Sequence, residues 1–139
     1  MGDRAQIKIN TFGYEGNPVY LYTHWGAENL EETLVAALSR HARWGDEEYL
    51  ARIIFETMIR DNIGAETGFG IGTNKHADIW KLIELFDEEK ITISVDHGDG
   101  MREVWNGSFE QFVQYFKGCK ELLWQDAYDH ASPKTETTV

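Results

Sequence analysis

Val19-Tyr20-Leu21-Tyr22-Thr23-His24-Trp25, closed by Gly26, alternates strictly. That pattern predicts a β-strand, because successive strand side chains point to opposite faces. Val19, Leu21, Thr23 and Trp25 share one face, which reads as core. Tyr20, Tyr22 and His24 share the other and present rings with hydrogen-bonding tips, spaced about 7 Å along the strand. A row of that kind suits a flat, partly polar ligand.

Upstream, Gln6 to Asn10 also alternates, with Ile7 and Ile9 inward, and Gly13-Tyr14-Glu15-Gly16-Asn17-Pro18 supplies a turn, so the first two strands form a hairpin. Downstream, Asn29 and Glu32 have capping-box spacing and announce a helix. Leu30, Leu34, Ala37, Leu38 and His41 make its buried stripe, so His41 reads as a core histidine, while Glu28, Glu31, Glu32 and Arg40 read as solvated. Arg43-Trp44-Gly45-Asp46 breaks the helix, and Asp46 is placed to cap the next one. Leu50, Ile53, Ile54, Thr57 and Met58 form the second stripe, and Gly64 marks its stop.

Glu66-Thr67-Gly68-Phe69-Gly70-Ile71-Gly72 reads as a strand with Phe69 and Ile71 on one face and glycines on the other. It is either a bulged edge strand or backbone left bare for a close ligand. The dinucleotide-binding fingerprint fails here, because Thr73 holds the third glycine position and no helix pattern follows. Residues 79–86 fit either a helix or a strand, and strand is preferred because Asp87-Glu88-Glu89-Lys90 reads as a hairpin loop and Ile91 to Val95 alternates as the next strand; Met101 to Trp105 reads as a short last one. Ser108 and Gln111 form a second capping box, opening a helix striped by Phe109, Phe112, Val113, Phe116, Cys119 and Leu123. The fold expected is a single α+β domain over residues 1–131, with 132–139 a frayed tail. Its sheet would be antiparallel, of about five or six strands, with three helices packed mainly on one face.

Thirteen Lys plus Arg against 24 Asp plus Glu give a net charge of −11. Such a surface repels nucleic-acid backbones and argues against direct DNA or RNA binding. The lone Cys119 excludes an intramolecular disulfide framework and a thiolate zinc cluster, and fits a reducing compartment. No apolar run reaches membrane-spanning length. The first residues lack a signal-peptide core, and Gln6 stands where a myristoylation motif needs Ser or Thr, so the expected location is cytoplasmic.

The five histidines, His24, His41, His76, His97 and His130, make no metal-binding pair in sequence, and His97 among turn residues reads as solvated. No serine sits in a nucleophile elbow, and Cys119 sits mid-stripe, so no catalytic, metal or cofactor residue is assigned. A binding constellation is more coherent. Tyr20, Tyr22, His24, Trp25 and Trp44 offer rings; Arg43 and Arg52 offer forks for a phosphate or carboxylate; Glu66 and Thr67 lead into glycine backbone able to donate N–H groups. Against this, the tryptophans are also what a core uses, and Arg52 can pair with Glu48 or Glu56 one turn away.

Tyr20-Leu21-Tyr22-Thr23-His24-Trp25, Arg43-Trp44-x-Asp46-x-x-Tyr49-x-x-Arg52 and Glu66-Thr67-Gly68-Phe69-Gly70-Ile71 together resemble a family of small uncharacterised proteins of bacteriophages, prophages and plasmids, over roughly residues 5 to 75. The resemblance transfers no site residue. It implies a counter-defence setting, similar to oligomeric nucleotide sponges that sequester cyclic nucleotide immune signals. The leading expectation is therefore a non-enzymatic homo-oligomer that binds a small phosphorylated ligand. Two alternatives stand beside it: an acidic protein that mimics nucleic acid and blocks a host protein, and a small hydrolase or lyase using His24 and Glu66, which would have to share one pocket.

Overall fold

The structure is a computed structural model, and it describes residues 3–117. Six strands, β1 (Ala5–Ile9), β2 (Val19–Thr23), β3 (Phe69–Gly72), β4 (Lys81–Phe86), β5 (Lys90–Asp96) and β6 (Met101–Ser108), form one sheet in the order β3-β2-β1-β4-β5-β6. Three helices, α1 (Leu30–Leu38), α2 (Glu47–Ile59) and α3 (Phe109–Phe116), complete an α+β domain. The expected β1–β2 and β4–β5 hairpins are both present. One expectation needs correction: the sheet is mixed, because β1 pairs with β4 in parallel, Ile7 opposite Ile83.

Alternation decides the two faces. Ala5, Ile7, Ile9, Leu21, Ile83, Leu85, Ile91, Ile93 and Val95 are buried against the stripes of all three helices in one continuous core. Phe109, Phe112 and Phe116 are fully buried, each contributing roughly 1.5–3 kcal/mol. The capping box at Ser108 and Gln111 forms in both directions, and the Asp46 carboxylate accepts from the N–H groups of Glu48 and Tyr49. Cys119 and Leu123, assigned to the last stripe, and the tail assigned to 132–139 lie outside the described residues.

Several local expectations fail for physical reasons. The capping box at Asn29 is absent: a 3-10 turn, Ala27–Asn29, runs straight into α1, and the Asn29 side chain makes no capping bond. His41 is exposed rather than core, since α1 ends at Leu38 and His41 takes a left-handed φ of 53°. Helix α2 ends at Ile59, well before Gly64, which serves a later turn at φ 91°. Glu31 is not solvated: its carboxylate meets the Lys81 ammonium at 2.8 Å, and both side chains are 0% exposed. Lys81 also donates to the Ala27 carbonyl at 2.7 Å, which ties the start of β4 to the turn that opens α1. Among the described residues no helix is long and apolar enough to cross a membrane.

The face away from the helices is crossed by the connection from β3 to β4. Gln6, fully buried on that face, holds it in place: its amide nitrogen donates to the Asn74 carbonyl at 3.2 Å and its oxygen accepts from the His76 N–H at 2.9 Å. Beside it, Lys8 faces Glu84 at 3.3 Å across the β1–β4 pair. Burial works against the charge on Lys8, but the Glu84 carboxylate and, less strongly, the Tyr20 hydroxyl together outweigh it and lift the ammonium above its ordinary value.

Candidate functional site

The rings predicted on β2 do meet, though at the end of the strand rather than along it. The strand stops at Thr23, whose hydroxyl accepts from the Gly26 N–H at 3.0 Å and turns the chain. Trp25 therefore leaves the core face assigned to it and is 61% exposed. It lies over Gly68, where a Cβ would sit 2.7 Å from the indole, and Gly68 has a φ of 103° that only glycine holds easily. The His24 ring meets Trp25 edge-on, with centroids 4.6 Å apart.

His24 is the hub. Its Nδ1 accepts from Arg4 Nε at 3.2 Å and lies 3.1 Å from the Tyr22 hydroxyl. Both contacts are satisfied when the imidazole proton sits on Nε2 and Tyr22 donates. On the far side Tyr22 stacks on His76, with centroids 4.4 Å apart and planes at 23°. The result is a chain of rings, His76, Tyr22, His24 and Trp25, with one guanidinium at its centre. Arg4 is shared outward: its NH1 meets the exposed Asp78 carboxylate at 3.0 Å.

Arg4 and Asp78 also belong to the wall of a cleft of about 610 Å³ at this end of the sheet, lined further by Asp3, Glu28, Trp80, Asp96 and His97. His97 is half-buried there rather than freely solvated. Two of the carboxylates are stabilised locally. Asp3 accepts from Trp80 Nε1 at 2.7 Å and from the Glu28 N–H at 3.1 Å; Asp96 accepts from the N–H groups of Gly98 and Gly100. With one arginine among four carboxylates, the cleft can balance a single negative charge far better than several. Among the described residues, no group of three or more His, Cys, Asp or Glu side chains is placed to hold a metal ion.

The other predicted residues lie elsewhere. Tyr20 shares the face of Tyr22 but is nearly buried, with the Lys8 ammonium 5.8 Å from its ring centre. Glu66 and Thr67 are exposed in the bend before β3, and Glu66 makes no hydrogen bond or ion pair with His24 among the described residues. The glycine backbone does not form an anion cradle. The His24 N–H donates to the Gly68 carbonyl at 2.9 Å, and the alternation of an antiparallel ladder then turns the main-chain groups of Gly70 and Gly72 toward β2.

Arg43, Trp44 and Arg52 belong to the helix layer, across the sheet from Tyr22. Trp44 stacks on His41 at 4.5 Å, meets Phe109 edge-on and donates from Nε1 to the Leu38 carbonyl. The Arg43 guanidinium lies 4.6 Å from the Tyr49 ring centre. Arg52 pairs with Glu56 at 2.7 Å, the one-turn alternative open in the sequence, and Arg40 shares that carboxylate at 3.0 Å.

Arg4, Gln6, His76 and Asp78 are the members that sequence reasoning missed. Only Gln6 carried a local mark, as a polar residue inside a strand beside inward isoleucines; Arg4 and His76 meet His24 and Tyr22 through long-range packing, and Asp78 joins through Arg4. No protein-family model, curated protein or solved structure matches this chain.

Proposed function

We propose that the chain is a non-catalytic binding protein whose ligand is flat, of the nucleotide class and of low negative charge. The observation that carries this is the Arg4–His24 contact inside a run of four rings, beside an open cleft. A base would stack on the exposed Trp25, supported from below by Gly68. Its phosphate would displace Asp78 from Arg4, exchanging one carboxylate for another anion without leaving the guanidinium bare. The surrounding carboxylates favour a cyclic mononucleotide or a single phosphodiester edge over a triphosphate. The resemblance to phage-borne proteins extends the proposal to sequestration of a cyclic nucleotide signal, by an assembly of more than one copy.

A thermal-shift series with cyclic mononucleotides, cyclic dinucleotides and ATP, followed by analysis of the recovered nucleotide, tests it. A ligand at 100 times its Kd adds about 2.7 kcal/mol of stability. The expected result is a shift with a cyclic nucleotide recovered intact, a weaker one with ATP, and none in Arg4→Ala. Cleaved product would make the protein a hydrolase instead. The four carboxylates around the cleft, Asp3, Glu28, Asp78 and Asp96, favour a second reading, an acidic surface that blocks a host protein. A flat nucleotide screen with salt-sensitive capture of a basic partner would decide for it.

A further inference from the structure

We infer that β3 is the seam of a two-fold dimer, in which its outer edge, unpaired among the described residues, pairs antiparallel with the same strand of a second copy. The two edges of the sheet are built differently. At β6 a bulge opposite Ile93 and Ser94 breaks the ladder, and Arg102 and Glu103 put charge on the rim. These are the devices that stop edges from pairing. Strand β3 has neither: Phe69-Gly70-Ile71-Gly72 carries no charge, no proline and no bulge against β2. Because the glycine main chain faces β2, the N–H and C=O groups of Phe69 and Ile71 point away from the sheet, and Ile71 is 61% exposed.

Three features select a second copy as the occupant. In a chain of net charge −11, residues 67–74 form an uncharged stretch where two copies can approach without repulsion. An antiparallel pair centred on Ile71 keeps the two Glu66 carboxylates at opposite ends of the seam, whereas a parallel pair would oppose them, and Lys75 has already left the edge with the connection that crosses over β1. Beside Ile71, on the helix side, a groove of about 420 Å³ has Val19, Ala51, Phe55 and Ile59 along its floor and Glu48 and the Arg52–Glu56 pair on its wall. Two isoleucines meeting at the two-fold axis would cover each other and close this groove from both sides, an isologous contact. The axis stands perpendicular to the sheet, so the two ring clusters come to lie on the same face of one continuous twelve-stranded sheet. The pairing needs no ligand and stands or falls apart from the nucleotide proposal.

Light scattering on the full chain tests it directly. The expected mass is twice 16.0 kDa, falling to the monomer in Ile71→Lys, whose melting should otherwise be that of a folded monomer because the side chain is exposed. Residues directly opposite in a hydrogen-bonded pair have Cα atoms about 5.5 Å apart, within disulfide reach. A Cys119→Ser, Ile71→Cys double variant should therefore cross-link to a dimer under mild oxidation. A wild-type monomer at the highest concentration tested, a dimer that survives Ile71→Lys, or a monomer that instead binds extended peptides at this edge would each overturn the inference.

Discussion

Replacing Lys81 by Met is the sharpest test of how the site is held. Lys81 begins β4, is 0% exposed, and meets Glu31, also 0% exposed, at 2.8 Å while donating to the Ala27 carbonyl at 2.7 Å. Those bonds lock the turn that follows Trp25 onto the strand that follows Asp78. The net worth of such a pair is small, because the cost of desolvating two ions offsets their attraction. Removing one partner is another matter, since the remaining carboxylate stays buried without the Lys81 ammonium, a loss of about 3–5 kcal/mol. Against a total stability of about 5–15 kcal/mol this is a large fraction. For a domain of this size it corresponds to a fall in Tm of about 10–20 °C. The assay is denaturant and thermal unfolding by circular dichroism, run as a cycle with Glu31→Leu and the double variant. Both single variants should be strongly destabilised and the double variant should recover most of the loss. A Lys81→Met protein within about 1 kcal/mol of wild type would refute the reasoning, because it would mean water reaches the pair.

One further prediction concerns the ring cluster and one a contact remote from it. Gly68→Ala places a Cβ 2.7 Å from the Trp25 indole at a φ of 103°, so it should cost about 1–3 kcal/mol and shift the Trp25 fluorescence; unchanged stability would show that Trp25 does not rest there. The Tyr14 hydroxyl donates to the Glu47 carboxylate, which, ahead of the smaller effects of burial and neighbouring charge, pushes its pKa up to about 12 from an ordinary 10.0. The folded chain thus keeps this proton where the unfolded chain has already lost it, so the stabilising contribution is intact below pH 10 and declines as pH rises from about 10 to 12. An ultraviolet difference titration of wild type against Tyr14→Phe reads it, and Glu47→Gln should bring the transition back toward 10; a difference already titrating near 10 in wild type would refute the assignment.

Strands and helix stripes were legible because each depends on neighbours in sequence. Ile7 and Ile9, Ile83 and Leu85, and the phenylalanines of α3 all fall where alternation or helical spacing puts them. The parallel β1–β4 pair was not legible, since alternation fixes which face a side chain takes and says nothing about which strand lies beside it. Trp25 was misplaced by extending an alternation past the Thr23 turn. Glu31 and Lys81 show a different kind of loss. Lys81 stands in the inward phase of Ile79, Ile83 and Leu85, and Glu31 borders the Leu30–Leu34–Leu38 stripe. Each alone looks like a rim charge, and only as an opposite pair do they become a core element.

The ring cluster combines both kinds of information, which is why half of it was foreseen. Tyr22, His24 and Trp25 are close neighbours in sequence at the end of β2, whereas Arg4 and His76 arrive from the two chain segments that the sheet order brings alongside. The order of dependence gives the cluster its stiffness. Gln6 is buried and fixes the His76 main chain; His76 stacks on Tyr22; the Tyr22 hydroxyl and Arg4 converge on one nitrogen of His24; His24 sets the edge against Trp25. The rings at the two ends of that series, His76 and Trp25, and the Asp78 carboxylate on Arg4 are exposed, while Tyr22 and His24 between them are half-buried. A ligand that stacks on Trp25 and replaces Asp78 would therefore engage a surface already ordered beneath it. Little conformational entropy would be lost on binding, which is the condition under which a shallow site holds a small molecule well.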